Sequence, residues 1–268
     1  MTPGLRYVKG HGTENDFVLL PDPDGRLDLS DDAVRRICDR RSGIGADGIL
    51  RVVPTALSVD GSPYSDDARW FMDYRNADGS VAEMCGNGVR VYARYLVDSG
   101  LARPGHLRLA TRGGVKEVDV EPSGDVTVDM GPAVVGDPVD IDGRTATTVD
   151  MGNPHAVVQV TSVDDLGVLD PSRKDLNVEY VEQVGPAAIR MRVHERGVGE
   201  TRSCGTGACA AVVATALLTG SPRGTSYDVE VPGGRLTVTW RDDGHVLLAG
   251  PAVLVAFGEL RPDWLENP

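Results

Sequence analysis

The chain repeats itself. Cys85-Gly86-Asn87-Gly88 recurs 119 residues later as Cys204-Gly205-Thr206-Gly207. Gly113-Gly114 recurs after 120 residues as Gly233-Gly234, Gly124 after 120 as Gly244, and Gly131-Pro132-Ala133 after 119 as Gly250-Pro251-Ala252. Landmarks at one near-constant shift restrict the fold to two similar halves, each carrying one CGxG turn. The length of 268 residues suits two domains of about 100–150 residues each.

Local patterns repeat in the same order. A strand-like stretch, 70–75 or 189–194, leads through a Gly-containing loop to the cysteine, and a helix-like stretch follows, 89–99 or 208–219. Gly-Gly turns then join β-branched runs: 115–121 with 126–129, and 235–240 with 246–249. The second helix, ACAAVVATALLT, is apolar on every side, which predicts a helix buried all round. The expected fold class is α+β, with two pseudo-symmetric domains, each a mostly antiparallel sheet wrapped around a central helix. The expected division is 1–132 joined by 253–268, and 133–252. Ser30 offers an N-cap for a further helix over 33–41 ending near Gly43, and polar 55–68 reads as a surface loop.

Composition removes several function classes. The formal net charge is −13, which disfavours nucleic acid as a partner because phosphate binding needs clustered Lys and Arg. Lysines are few (Lys9, Lys116 and Lys174, against 24 arginines), so a Schiff-base lysine for pyridoxal phosphate has few candidates. No apolar run of about 18 residues predicts a membrane span, and the N-terminus lacks the pattern of a signal peptide. Four cysteines in a chain this long do not suggest a disulfide scaffold, and a reducing cytoplasm fits them. The C-x4-C spacing of Cys204 and Cys209 is not a usual zinc pattern, so no metal is expected. Cys38 and Cys209 read as small buried hydrophobes.

Cys85 and Cys204 read differently, because each stands just before a helix. A helix N-terminus lowers a thiol from its reference value of about 8.5, and the glycines let backbone N–H groups approach an anion. One turn therefore offers a base and a carboxylate cradle. Two turns offer a base for each face of one carbon. That suits inversion at an amino-acid Cα without cofactor, where the carbanion needs electrostatic stabilisation and exclusion of water.

At this level of detail the sequence resembles the diaminopimelate epimerase family. The likeness rests on Asn76-Ala77-Asp78-Gly79-Ser80 before Met84-Cys85-Gly86-Asn87-Gly88, and on Glu195-Arg196-Gly197 before Ser203-Cys204-Gly205-Thr206-Gly207. It extends to His11-Gly12 with Asn15-Asp16-Phe17, to Gly152-Asn153-Pro154-His155 and to Pro232-Gly233-Gly234. The resemblance implies cofactor-free interconversion of LL- and meso-2,6-diaminoheptanedioate, a place in lysine and peptidoglycan-precursor synthesis in the cytoplasm, and the mirrored two-domain fold. It implies Cys85 and Cys204 as catalytic bases. Gly86, Asn87, Gly205 and Thr206 would hold the reacting carboxylate. Asn15, Asn76, Asn153, Asn177, Glu195 and Arg196 would hold the rest of the substrate, and His155 with Glu195 would tune the thiols. Arg196 suits the distal carboxylate through paired hydrogen bonds.

The sequence departs from the family pattern at three places. Gly48 stands where many members have glutamine, so no side-chain contact can come from there. Thr13-Glu14 replaces a common apolar–Gly pair. Ala256, followed by Phe257, stands at an aromatic position through which some members dimerise, which leaves a homodimer as an open expectation. The proline and hydroxyproline racemases share the cysteine pair, but usually carry histidine at the position of Asn87 and aspartate shortly before the second cysteine. Here Glu200-Thr201-Arg202-Ser203 precedes Cys204.

Overall fold

The computed structural model describes residues 4–266. The described residues form two units: one of 4–12, 16–126 and 252–266, the other of 13–15 and 127–251.

The first unit holds β1 (Leu5–Gly12), β2 (Asn15–Pro21), α1 (Asp31–Cys38), β3 (Gly48–Pro54), β4 (Trp70–Asn76), α2 (Gly86–Asp98), β5 (Gly105–Thr111) and β6 (Gly114–Val120). β7 (Asp125–Pro132) leads into the second unit. That unit contains β8 (Val134–Val135), β9 (Val139–Ile141), β10 (Arg144–Asp150), β11 (Pro154–Gln159), β12 (Asn177–Gly185), β13 (Ala188–Glu195), β14 (Gly199–Thr201), α3 (Gly205–Thr219), β15 (Ser226–Val231), β16 (Gly234–Trp240) and β17 (His245–Pro251). β18 (Val253–Leu260) returns to the first unit and pairs antiparallel with β1, and α4 (Pro262–Glu266) follows.

Most of the pairings are antiparallel, and parallel ones fall at corresponding places in the two units. These are β2–β3 and β4–β5 in the first unit, and β11–β12 and β13–β15 in the second. A parallel pair needs a crossover. The chain makes its crossover from β4 to β5 through α2, and from β13 to β15 through α3. The central helix of each unit is thus the connection that a parallel pair demands.

Alternation along the strands then divides the core. In the first unit Val18, Leu20 and Ile49 face Val34, Ile37 and Cys38 of α1. The intervening Phe17 and Leu50 face the first turn of α2 at Gly88. In the second unit Ala156, Val158, Val178 and Tyr180 cluster with Leu169, and Gln159 reaches Thr215 of α3 from the other face.

Some expectations need correction. α1 stops at Cys38, not Arg41, although Ser30 caps it as expected through Ala33 N–H (3.2 Å). The Asp39 carboxylate accepts from the amides of Arg41 and Ser42, which turns the chain out of the helix. The segment 55–68 is not a plain surface loop. It holds 3-10 turns at Thr55–Leu57 and Ser62–Tyr64, and Thr55 and Ser58 are buried. α3 is buried from Ala208 through Ala216, but its last turn is not: Leu217 and Leu218 are exposed.

Candidate active site

The two central helices begin at Gly86 and Gly205, three residues earlier than the apolar pattern predicts. Glycine propensity argues for a loop there, but a cap decides otherwise. Cys85 is the N-cap of α2, with extended backbone, and its Sγ accepts from Gly88 N–H at 3.4 Å. Cys204 is the N-cap of α3, and its Sγ accepts from Gly207 N–H at 3.4 Å. The repeat seen in sequence is therefore a repeat in local geometry: a thiol on the unpaired amides of a helix start.

The candidate residues of the first unit besides Cys85 are Asn76, Gly86 and Asn87. Asn76 closes β4, and its amide nitrogen donates to Ser80 Oγ at 3.0 Å across a turn that needs Gly79 at φ +89°. Gly86 and Asn87 are buried in the opening turn of α2. Gly48 pairs with Asn76, and a Cβ there would lie 2.5 Å from the Arg75 carbonyl oxygen. The departure at this position is thus imposed by packing as well as being a lost side chain.

The second unit holds the other candidate residues. His155 pairs with Asn177 across β11–β12, and Val178 pairs with His194 across β12–β13. Period-2 alternation therefore places His155, Asn177, Glu179 and Glu195 on one sheet face, the face that α3 covers. His155 Nδ1–H donates to Glu179 Oε1 at 2.6 Å, and His155 Nε2 lies 3.0 Å from Asn153 Oδ1. Asn177 donates to the Pro154 carbonyl at 3.0 Å and accepts from Arg196 N–H at 2.9 Å, so it ties two motifs together. Glu195 accepts from Thr201 Oγ1. Arg196 is exposed, and Thr206 Oγ1 lies 3.5 Å from Cys204 Sγ.

Asn15 belongs to this second group by a turn of its own. Thr13 and Glu14 both take left-handed backbone, at φ +48° and +63°, which is uncommon for residues with a side chain. Thr13 Oγ1 meets Ser203 Oγ at 2.6 Å, and Glu14 pairs with Arg202. A Cβ on Gly233 would lie 1.9 Å from the Thr13 carbonyl oxygen, so only glycine fits in the Pro232-Gly233-Gly234 motif.

Burial pushes the Cys204 thiol well above its ordinary value, and the charges of Glu195 and Glu179 push it the same way. Thr206 and the Gly207 amide act in the opposite direction. Cys38 is pushed up to about 12 by burial, which fits a packed thiol. Cys209 is fully buried inside α3. Among the described residues no group of three or more His, Cys, Asp or Glu side chains is placed to hold a metal, and no helix is long and apolar enough to cross a membrane.

Sequence reasoning missed Glu179. Its signal was present: Asn177-Val178-Glu179 puts two polar side chains two residues apart in a β-branched strand, which aims both inward when one is inward.

The model of the diaminopimelate epimerase family matches residues 7–136 and 147–255. The chain belongs to the diaminopimelate epimerase family. A diaminopimelate epimerase of Streptomyces coelicolor is 52% identical, over 100% of this chain and 99% of that protein. One from Corynebacterium glutamicum is 47% identical, over 96% and 98%. Among solved structures, a Bacillus anthracis phenazine biosynthesis protein of the PhzF family aligns with a TM-score of 0.73 at 17% identity, covering 96% of this chain and 99% of that one. A hydroxyproline epimerase from Agrobacterium vitis aligns with a TM-score of 0.69 at 15% identity, covering 98% and 95%. These structures share the fold.

Proposed function

We propose that the protein is an isomerase that interconverts LL- and meso-2,6-diaminoheptanedioate through two cysteine bases, without cofactor. The observation that carries this reading is the matched pair of caps: Cys85 and Cys204 each hold Sγ on the N–H three residues on, in a member of this family. In the proposed reaction one thiolate removes the α-proton and the other thiol returns a proton to the opposite face. The amides of Gly86-Asn87 and Gly205-Thr206 hold the carboxylate as negative charge develops on it. Asn15, Asn76, Asn153, Asn177 and Glu195 bind or align the second amino-acid head, and Arg196 grips its carboxylate. His155 and Glu195 tune the thiols. The halves 1–132 with 253–268 and 133–252 then each supply one base.

The product would feed lysine and peptidoglycan-precursor synthesis in the cytoplasm. A homodimer through β18 is part of the same proposal. Val253, Val255 and Phe257 alternate along that strand and are exposed, Phe257 by 89%. Sedimentation of Phe257→Asp as a monomer beside a dimeric parent would support it, and a monomeric parent would end it.

The test of function is a panel of LL-diaminopimelate, L-proline and hydroxyproline in D2O. Deuterium should enter the inverted carbon of diaminopimelate alone. Exchange confined to the proline substrates would overturn the reading.

A further inference from the structure

The two cysteine caps rest on unlike supports. The pairings Phe17–Gly48 and His155–Asn177 put the two units in one register, with Phe17 matching His155 and Leu50 matching Glu179. A Cβ on Gly88 would meet Leu50 at 3.3 Å and Phe17 at 3.6 Å. A Cβ on Gly207 would meet Glu179 Oε1 at 2.6 Å. Thus the amide that caps Cys85 sits over two apolar side chains, and the amide that caps Cys204 sits over a carboxylate. Glu179 is fully buried, and its Oε2 has no hydrogen-bond partner.

We infer that Glu179 is a positioning residue for the second thiol: it fixes His155, and through it Asn153, and it sets a carboxylate under the first turn of α3 where the first unit has Leu50. The inference rests on the proposed role of Cys204. The bond from His155 Nδ1–H to Glu179 fixes the orientation of the ring, which holds Nε2 3.0 Å from Asn153 Oδ1. An apolar residue at 179 could do neither. The groups that bear on this turn are Glu179 from β12 under Gly207, His155 from β11 bonded to Glu179, Thr206 from α3 itself, 3.5 Å from Cys204 Sγ, and Glu195 from β13, whose charge acts on Cys204 and which accepts from Thr201 of β14. Two of them are carboxylates, and both oppose a thiolate at Cys204, in the direction given above.

The test is alkylation of the full-length protein by iodoacetamide across pH 6 to about 11, with Cys85 and Cys204 followed separately by mass spectrometry. It needs no substrate, so it can fail while the proposed reaction stands, and the reaction can fail while it stands. In the parent, the Cys204 midpoint should lie above that of an ordinary thiol. In Glu179→Gln the Cys204 midpoint should fall by about one pH unit while that of Cys85 stays, as expected for loss of a nearby like charge. An unchanged Cys204 midpoint in a folded Glu179→Gln would overturn the inference. The double variant His155→Phe with Glu179→Leu copies the first unit's packing, and should also lower the Cys204 midpoint. Nitrogen-15 spectra of the parent provide the arm that needs no variant. They should show the His155 proton on Nδ1, and a proton on Nε2 alone would overturn the inference as well.

Discussion

The first unit supports its cysteine turn with apolar side chains, the second with a buried pair of polar side chains. Phe17 and Leu50 lie under Gly88, whereas His155 and Glu179 stand at the matching places in the second unit. The central helices differ in the same manner. α2 buries Arg90 five residues after its cysteine, and α3 buries Cys209. At the strand entrance the first unit has Asp16, held by Lys9 (2.5 Å) and by Arg40 (2.7 and 3.0 Å), and the second has Pro154. Duplication thus preserved the backbone and the thiol, while the charges around them diverged. A repeated frame does not give the two thiols equal surroundings.

The largest effect tests what the units share. Cys85→Ala and Cys204→Ala should each lower epimerisation by about a thousandfold or more, because each face needs its own proton carrier. Polarimetry with diaminopimelate would measure it, and near-parental turnover in either variant would sink the two-base mechanism.

Stability tests what they do not share. His155→Phe alone leaves Glu179 buried without its donor and should cost about 3–5 kcal/mol in urea unfolding. Adding Glu179→Leu should recover most of that loss, since it restores the packing used around Phe17 and Leu50. A double variant no more stable than the single one would show that the two supports are not interchangeable.

The smallest effect belongs to Asp16. Burial works to raise its pKa, but Arg40 and Lys9 outweigh it and hold the carboxyl well below the usual range. A lowered folded value means that stability is present above the ordinary carboxylate value near 4 and is lost as pH falls below it. Arg40 is half exposed and screened, so the loss should be about 1 kcal/mol. Asp16→Asn should flatten the acid limb of a urea-midpoint profile between pH 5 and about 2, and an acid limb as steep as the parent's would place the sensitivity elsewhere.

Much of this molecule was legible without coordinates. The repeated CGxG turns, the order of strand, thiol and helix, and the all-apolar 208–219 segment specify the class of fold, because hydrophobic period and glycine placement are local properties of a chain. The motifs likewise point to Cys85, Cys204 and the asparagines. Other features required the third dimension. That the helices open at Gly86 and Gly205 depends on the thiols as caps, which a propensity scale does not contain. That Gly48 and Gly233 must be glycine follows from the Arg75 and Thr13 carbonyls, each far away in sequence. That Glu179 stands beneath Gly207 depends on the register of β11 with β12, and one residue of slip would turn it to the opposite face. The sequence by itself determined that there are two halves and two thiols. Only the tertiary structure decided that the thiols sit in unlike surroundings, because burial and charge at a site are set by the strands that pack beside it, not by the motif that carries it.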